Sequence, residues 1–171
     1  MKHELWDGLN ADGTKLGIDL VRGETIPDGI YHGVCAALIK HIDGSFLLMR
    51  RDYAKDSYPG YFEATAGGSI LKGETPLEGM QRELREETGI TSVELTFLKT
   101  IFAPEKNTIY YTYLGITDCD KSSITLQEGE TIEYRWLAYD EFASFIKSDE
   151  CIAPQVRDFG EYYASIGIDV L

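Results

Sequence analysis

The hydrophobic and polar positions along the chain divide it into strand-like and helix-like segments. Short apolar runs rich in β-branched and aromatic residues predict strands, and clusters of Gly, Asn, Asp and Pro separate them. The predicted strands are 5–7, 16–21, 32–40, 45–50, 61–66, 93–102, 108–117 and 132–137. The predicted helices are 76–88, 139–147 and 154–165. This order predicts an α+β fold in which a mixed sheet lies between helical layers.

Turn sequences organise the predicted strands. Residues 10–13, Asn-Ala-Asp-Gly, separate the first two strands and predict an N-terminal β-hairpin over about residues 4–22. Asp43-Gly44 predicts a second tight turn, which would make 45–50 the hairpin partner of 32–40. No repeat, low-complexity tract or linker interrupts the chain. We therefore expect residues 1–171 to form one domain that ends in helices at about 138–165.

The central helix carries its own boundary signals. Thr75 is suited to the N-cap, Pro76 to the first helical position, and Glu78 to a capping box that returns to the cap nitrogen. Gly89 is suited to the left-handed conformation that ends many helices. The sequence therefore predicts a helix over 76–88.

Composition narrows the class of partner. The formal net charge of −13 disfavours a nucleic-acid backbone, although a divalent metal could offset it locally for a small phosphorylated ligand. The three cysteines are far apart, which argues against a disulfide framework or a zinc site and fits a reducing cytosol. No signal peptide or membrane-length apolar run is present, so we expect a cytoplasmic protein without a membrane partner. The oligomeric state, monomer or homodimer, stays open.

Three carboxylates share one face of the central helix. At ~100° per residue, Glu83, Glu86 and Glu87 fall within a sector of roughly 100°, and Gly79 one turn earlier would leave room above them. Leu77, Met80 and Leu84 form the adjacent apolar stripe. Like charges this close repel each other unless a cation binds, and hard oxygen ligands suit Mg²⁺ or Mn²⁺. The alternative is a solvated charged face, which the pattern of the whole segment disfavours.

That segment is GSILKGETPLEGMQRELREETGI, residues 68–90. Gly68, Glu74, the Arg-Glu-Leu and Glu-Glu groups at 82–84 and 86–87, and the Gly-Ile pair at 89–90 match the box motif of the Nudix superfamily, which includes MutT-like proteins, at every specified position. Residues 4–7, 31–32, 50–51, 55 and 59–60 resemble the branch of that superfamily that contains isopentenyl-diphosphate isomerases and their hydrolase relatives. Residues 130–137 resemble the later Nudix strand that carries a further acidic residue.

The resemblance implies a fold, a reaction and a site. It implies a Nudix-type α/β/α sandwich with one catalytic helix, and hydrolysis of a pyrophosphate bond in a nucleoside diphosphate linked to another group. By position, Mg²⁺ or Mn²⁺ would be held by Glu83, Glu86, Glu87 and the Gly68 carbonyl. Arg82 would orient Glu83 and Glu86. The proton of the attacking water would go to Glu83, to Glu86 or to a later acid, which is Glu130 with Glu128 and Glu133 as alternatives.

Substrate contacts are less well defined by the sequence. Arg50 and Arg51 end a strand before the loop that leads to the box and could contact substrate phosphate, or they could be surface charge. Pro104 stands about fifteen residues after Gly89, a spacing that resembles ADP-ribose hydrolases, but it also suits a turn between strands. The sequence does not choose among nucleoside diphosphate derivatives.

Two other functions compete with hydrolysis. The related isomerases use a cysteine just before the box glycine, whereas this chain has Gly67 there, and Cys35 lies on an earlier strand. A non-catalytic, ligand-sensing Nudix module would typically be fused to a DNA-binding domain, which the net charge of −13 opposes. The intact glutamates favour a hydrolase over both.

Overall fold

The computed structural model describes residues 4–170. Its nine strands are β1 (Leu5–Leu9), β2 (Lys15–Val21), β3 (His32–His41), β4 (Phe46–Arg51), β5 (Phe62–Glu63), β6 (Thr65–Ser69), β7 (Val93–Ala103), β8 (Thr108–Thr117) and β9 (Thr131–Leu137). Its α-helices are α1 (Pro76–Thr88), α2 (Tyr139–Ile146) and α3 (Ala153–Ser165), and Pro104–Lys106 form a short 3-10 helix. None of the helices within residues 4–170 has both the length and the apolar character needed to span a bilayer.

A mixed seven-stranded sheet forms the centre of the fold. Strand β3 pairs in parallel with β8 on one side and antiparallel with β6 on the other, and β7 pairs antiparallel with β8. Strand β4 pairs antiparallel with β9 and β5. Strands β1 and β2 form a separate two-stranded sheet. The α+β class with a mixed sheet is thus confirmed.

Helices cover both faces of the mixed sheet. Side chains alternate between the two faces of a strand, so Ile39 of β3 packs in a cluster with Met80 and Leu84 of α1. Its neighbour Leu38 packs in a second cluster with Phe142 of α2 and Phe159 of α3. The result is the α/β/α sandwich that the resemblance implied, with α1 packed on one face and α2 and α3 on the other.

The predicted strand positions agree with the structure better than the predicted pairings do. The expected hairpin of 32–40 with 45–50 is wrong beyond the turn, because β3 and β4 share only the Lys40–Phe46 pair before they separate. Beyond that pair, β6 takes the place beside β3 and β9 takes the place beside β4. The predicted strand 61–66 is divided by a bend at Ala64, and its second half continues through Gly67 and Gly68.

The N-terminal hairpin is attached to the loop that precedes α1. Asp7 of β1 accepts a hydrogen bond from the Gly73 nitrogen at 2.9 Å, and Asp19 of β2 pairs with Lys72 at 2.6 Å. The backbone N–H of Lys72 also donates a hydrogen bond to the Leu5 carbonyl oxygen at 2.8 Å. These bonds fix the loop between β6 and α1 from its outer side.

Candidate active site

Helix α1 begins and ends where its local signals predict. The Thr75 hydroxyl accepts a hydrogen bond from the Glu78 nitrogen at 3.3 Å, and the Glu78 carboxylate accepts one from the Thr75 nitrogen at 2.8 Å. Gly89 adopts φ 76°, and its N–H donates to the Arg85 carbonyl oxygen. Met80 and Leu84 are fully buried, whereas Leu77, expected in the same stripe, is 42% exposed. Because both ends are fixed, the acidic face of the helix has a defined orientation.

Arg82 connects the acidic residues of the box. Its guanidinium donates to Glu74 at 2.7 and 3.0 Å, to Glu83 at 2.7 Å and to Glu86 at 3.2 Å, and it also bonds the Ser69 carbonyl oxygen at 2.9 Å. Charge-assisted bonds of this kind hold side chains in one geometry. Arg82 therefore ties the helix to the preceding loop and holds both Glu83 and Glu86.

Glu83 and Glu87 lie against the two glycines at the end of β6. Glu87 accepts a hydrogen bond from the Gly67 nitrogen at 2.9 Å. A Cβ atom added to Gly68 would stand 2.6 Å from the nearer Glu83 oxygen, so the Glu83 carboxylate rests on bare backbone. Burial raises the pKa of the Glu83 carboxyl, and burial with repulsion from Glu63 raises the pKa of the Glu87 carboxyl well above its usual range.

Two further carboxylates face this group from outside the box. Glu63 of β5 accepts a hydrogen bond from Arg51 at 3.0 Å, and burial raises the pKa of its carboxyl. Glu130, just before β9, pairs with Lys55. Both acids contribute to the repulsion that raises the pKa of Glu87. The acidic group is therefore larger than the helix alone supplies.

These side chains line one cavity of about 520 Å³. The acidic side chains in its lining are Glu4, Glu63, Glu83, Glu86, Glu87, Glu130 and Asp158, and Gly67 and Gly68 line it as well. Cationic side chains also line it, namely Arg22, Arg51, Lys55, Arg82 and Lys106. Within residues 4–170, no three His, Cys, Asp or Glu side chains stand close enough together to hold a metal ion as they are. Arg82 instead occupies oxygens of Glu83 and Glu86.

The structure separates the two arginines that the sequence placed together. Arg51 lines the cavity, but Arg50, which has the opposite strand orientation, bonds the Gly60 carbonyl oxygen and Glu133, each at 3.0 Å. Of the two arginines predicted to contact substrate, Arg51 therefore lies in the cavity and Arg50 lies outside its lining. Glu133 is held away by Arg50 and Arg135, and Glu128 does not line the cavity. Of the three later acids, the cavity contains only Glu130.

Gly79 also differs from its expected role. It does not clear space above the carboxylates, because a Cβ atom there would meet Glu74 at 3.2 Å and Ile70 at 3.3 Å. Its lack of a side chain instead lets α1 approach the loop that precedes it.

The position of the isomerase cysteine is closed to a side chain. A Cβ atom at Gly67 would stand 2.1 Å from the Cys35 carbonyl oxygen, so this backbone excludes any other residue. Cys35 is fully buried at the edge of the cavity, its thiol donates to the Gly68 carbonyl oxygen at 3.4 Å, and burial raises the pKa of that thiol to about 12. Neither position offers the cysteine that an isomerase of that branch would need.

Comparison with known proteins decides the family. The sequence model of the NUDIX domain matches residues 31–159. The chain belongs to the Nudix hydrolase family. An uncharacterized Nudix hydrolase of Listeria monocytogenes is 33% identical over 150 residues, which cover 87% of this chain and 88% of that protein. Nudix hydrolase 3 of Arabidopsis thaliana is 30% identical over 95% of this chain, but the match covers 23% of the plant protein.

Solved structures agree on the fold. The crystal structure of DR0079 from Deinococcus radiodurans has a TM-score of 0.66 at 20% identity and covers 84% of this chain and 88% of its own. The MutT protein from Methanosarcina mazei has a TM-score of 0.59 at 27% identity and covers 83% of this chain and 98% of its own. The match to the NUDIX domain and the Listeria relative identify this Nudix protein as a hydrolase that acts on pyrophosphate bonds.

The sequence missed several residues that line the cavity of this Nudix hydrolase. Glu63 was not singled out, although an acid in a strand that runs directly into Gly67-Gly68 is a usable signal. Lys55 entered only through the branch resemblance. Lys106 follows Pro104, which is exposed and does not line the cavity. Gln155 of α3 lies far away in sequence and carries no local pattern.

Proposed function

We propose that this Nudix hydrolase cleaves the pyrophosphate bond of a nucleoside diphosphate linked to another group, with Mg²⁺ or Mn²⁺ as its cation. One observation carries the proposal: seven carboxylates and five cationic side chains line the same cavity of about 520 Å³. A pocket of that size suits a nucleotide derivative. We also propose that residues 1–171 act as a single domain.

The residues present fit a divalent cation. Glu63, Glu83 and Glu87 are partly buried in the lining of one cavity, Glu63 and Glu83 both repel Glu87, and the pKa of each of the three carboxyls is raised, chiefly by burial. Buried carboxylates that repel each other favour a cation among them. We assign Glu83, Glu86, Glu87 and the Gly68 carbonyl oxygen as the ligands. When bound, the metal neutralises phosphoryl oxygens and lowers the pKa of coordinated water.

The remaining groups of the cavity handle substrate and water. Arg51 has 16% of its side chain exposed, so it lies in a weakly screened position from which it attracts phosphate oxygens. Lys55 and Lys106 add positive charge to the lining. Arg82 keeps Glu83 and Glu86 oriented. The candidates for the group that takes the proton from water are Glu83, Glu86 and Glu130, each of which lines the cavity.

A screen for release of phosphomonoester products such as nucleoside monophosphates, separated by anion-exchange chromatography, tests the proposal. The panel contains ADP-ribose, dinucleoside polyphosphates, nucleotide sugars, nucleoside triphosphates, NADH and CoA, each with Mg²⁺, Mn²⁺ or EDTA. We expect metal-dependent release from at least one compound, and a loss of about 10²–10³-fold or more in Glu83→Gln. Glu94→Gln is the control, because Glu94 is an exposed acid of β7 outside the cavity. No release from any compound by the wild-type protein would overturn the proposal.

A further inference from the structure

Gln155 links α3 to the acidic cavity. It lies near the start of the helix, is only 8% exposed, and its side-chain amide makes three hydrogen bonds, one to β5, one to β6 and one to the residue between these strands. The Gln155 oxygen accepts from the Ala64 nitrogen at 2.9 Å. The Gln155 nitrogen donates to Glu63 at 3.2 Å and to Thr65 Oγ1 at 3.0 Å. One buried amide thus contacts three consecutive residues.

Those three residues lie where the chain changes partners within the sheet. Strand β5 pairs with β4, strand β6 pairs with β3, and Ala64 is the bend between them. A bend interrupts the strand ladder, so its buried N–H group needs another acceptor, and leaving such a group unpaired is costly. The Gln155 oxygen supplies that acceptor. The amide therefore fixes the point from which β6 continues.

The consequences of this bend reach the proposed metal ligands. Three residues beyond Ala64, the Gly67 nitrogen donates to Glu87, and Gly68 provides the bare backbone beside Glu83. In the other direction, Glu63 bonds Gln155 through one oxygen and Arg51 through the other. A displacement of the bend would therefore move both the backbone of Gly67 and Gly68 and the side chain of Arg51.

We propose that Gln155 is a positioning residue, which holds the bend at Ala64 and the Glu63 carboxylate so that Gly68, Glu87 and Arg51 keep their places in the cavity. This inference rests on the proposed function of the same site. Gln155 contacts no reacting group in this role, because it acts through Glu63, Ala64 and Thr65.

The chemistry of an amide explains the residue type. Only a side chain with both an acceptor and a donor can serve a backbone N–H and a carboxylate at once. An ionised glutamate would lack the donor, and a lysine would lack the acceptor. A lysine would also cancel the Glu63 charge, whereas a neutral amide leaves that charge available to the cavity. Glutamine therefore satisfies all three partners without changing the negative charge of the site.

A matched pair of variants tests the proposal. Gln155→Met keeps the length and bulk of the side chain but removes all three hydrogen bonds. Val156→Ala is the control, because Val156 is the next residue of α3, packs against the core cluster that contains Phe142 and Phe159, and does not line the cavity. Mn²⁺ binding is measured by titration calorimetry without substrate. We expect Gln155→Met to raise the dissociation constant about 10–100-fold, and Val156→Ala to leave it unchanged. Equal constants in the two variants would overturn the proposal.

Amide hydrogen exchange separates this inference from the proposed function. In metal-free protein, Gln155→Met should lose protection at the Ala64 amide while Val156→Ala keeps it, whether or not the chain hydrolyses any compound. In wild-type protein, saturating Mg²⁺ should slow exchange in residues 62–68 and also in 153–157, because Gln155 joins the two segments. This wild-type measurement applies even if Gln155→Met does not fold. Slowing confined to 62–68 would contradict the link.

Discussion

Replacing Glu87 with glutamine should make the protein more stable and less active. Glu87 is partly buried, and burial with repulsion from Glu63 and Glu83 raises the pKa of its carboxyl well above the usual range. Its carboxylate accepts a hydrogen bond from the Gly67 nitrogen at 2.9 Å, and a glutamine oxygen can accept the same bond. Glu87→Gln therefore removes the repelled charge and keeps the bond.

The size of the effect follows from the cost of a desolvated charge without a cation. Mutational data place the penalty for a poorly satisfied buried polar group at about 1–3 kcal/mol and higher for charged groups, so we expect a gain of about 2 kcal/mol in the metal-free protein. For a chain of this length, that corresponds to a rise of roughly 4–8 °C in Tm. Activity should fall by about 10³-fold, because the variant lacks the Glu87 carboxylate charge that we assign as a ligand of Mg²⁺ or Mn²⁺.

Thermal melts in EDTA and in Mg²⁺, combined with initial rates, measure both effects. Glu86→Gln is the control for stability alone, because the Glu86 side chain is 41% exposed. The Tm of this variant should differ from that of the wild-type protein by less than about 2 °C. The Mg²⁺-induced rise in Tm should be smaller in Glu87→Gln than in wild type. A variant that melts at a lower temperature in EDTA, or that keeps near-wild-type rates, would refute the assignment of Glu87 as a repelled metal ligand.

Three further outcomes are expected. Gly68→Ala should weaken Mn²⁺ binding at least about tenfold by calorimetry, because the new Cβ would stand 2.6 Å from the Glu83 carboxylate; unchanged binding would contradict the assignment of Gly68 and Glu83 as ligands. Mg²⁺ at about 100 times its dissociation constant should raise the wild-type Tm by roughly 5–10 °C, and EDTA should abolish the rise; a flat titration would argue against an open site. Burial lowers the pKa of His32, which stacks on Trp6 with ring centroids 4.3 Å apart. Its contribution to stability should therefore be complete above pH ~6.5 and decline as pH falls below that value, and urea midpoints of His32→Phe should depend less on pH in this window than those of wild type.

The sequence predicted best what depends on neighbouring residues. Helix α1 was predicted with its observed ends because Thr75, Pro76, Glu78 and Gly89 act within one turn of each boundary. The face that carries Glu83 follows from helical periodicity alone. These features required no knowledge of the rest of the fold.

What the sequence left open depends on contacts between distant segments. The orientation of Arg50 and Arg51 could not be decided, because a strand turns adjacent side chains to opposite faces and its facing is set by its partners. The pairing of β4 with β9 joins Phe46 to Leu137, and no turn sequence specifies it. Gln155 reaches the site only because α3 packs across the sheet. Such features are properties of the assembled fold.

The parallel pairing of β3 with β8 has a consequence for synthesis. His32 lies opposite Thr108, 76 residues later, whereas the antiparallel partner on the other side of β3 arrives with Thr65. At a translation rate of about 5–20 residues per second, the edge of β3 that pairs with β8 stays unpaired for roughly 4–15 s after β3 is made. An apolar strand with an unpaired edge is prone to pair with other chains. The newly made protein should therefore be most vulnerable to aggregation, and most dependent on chaperones, before β8 leaves the ribosome.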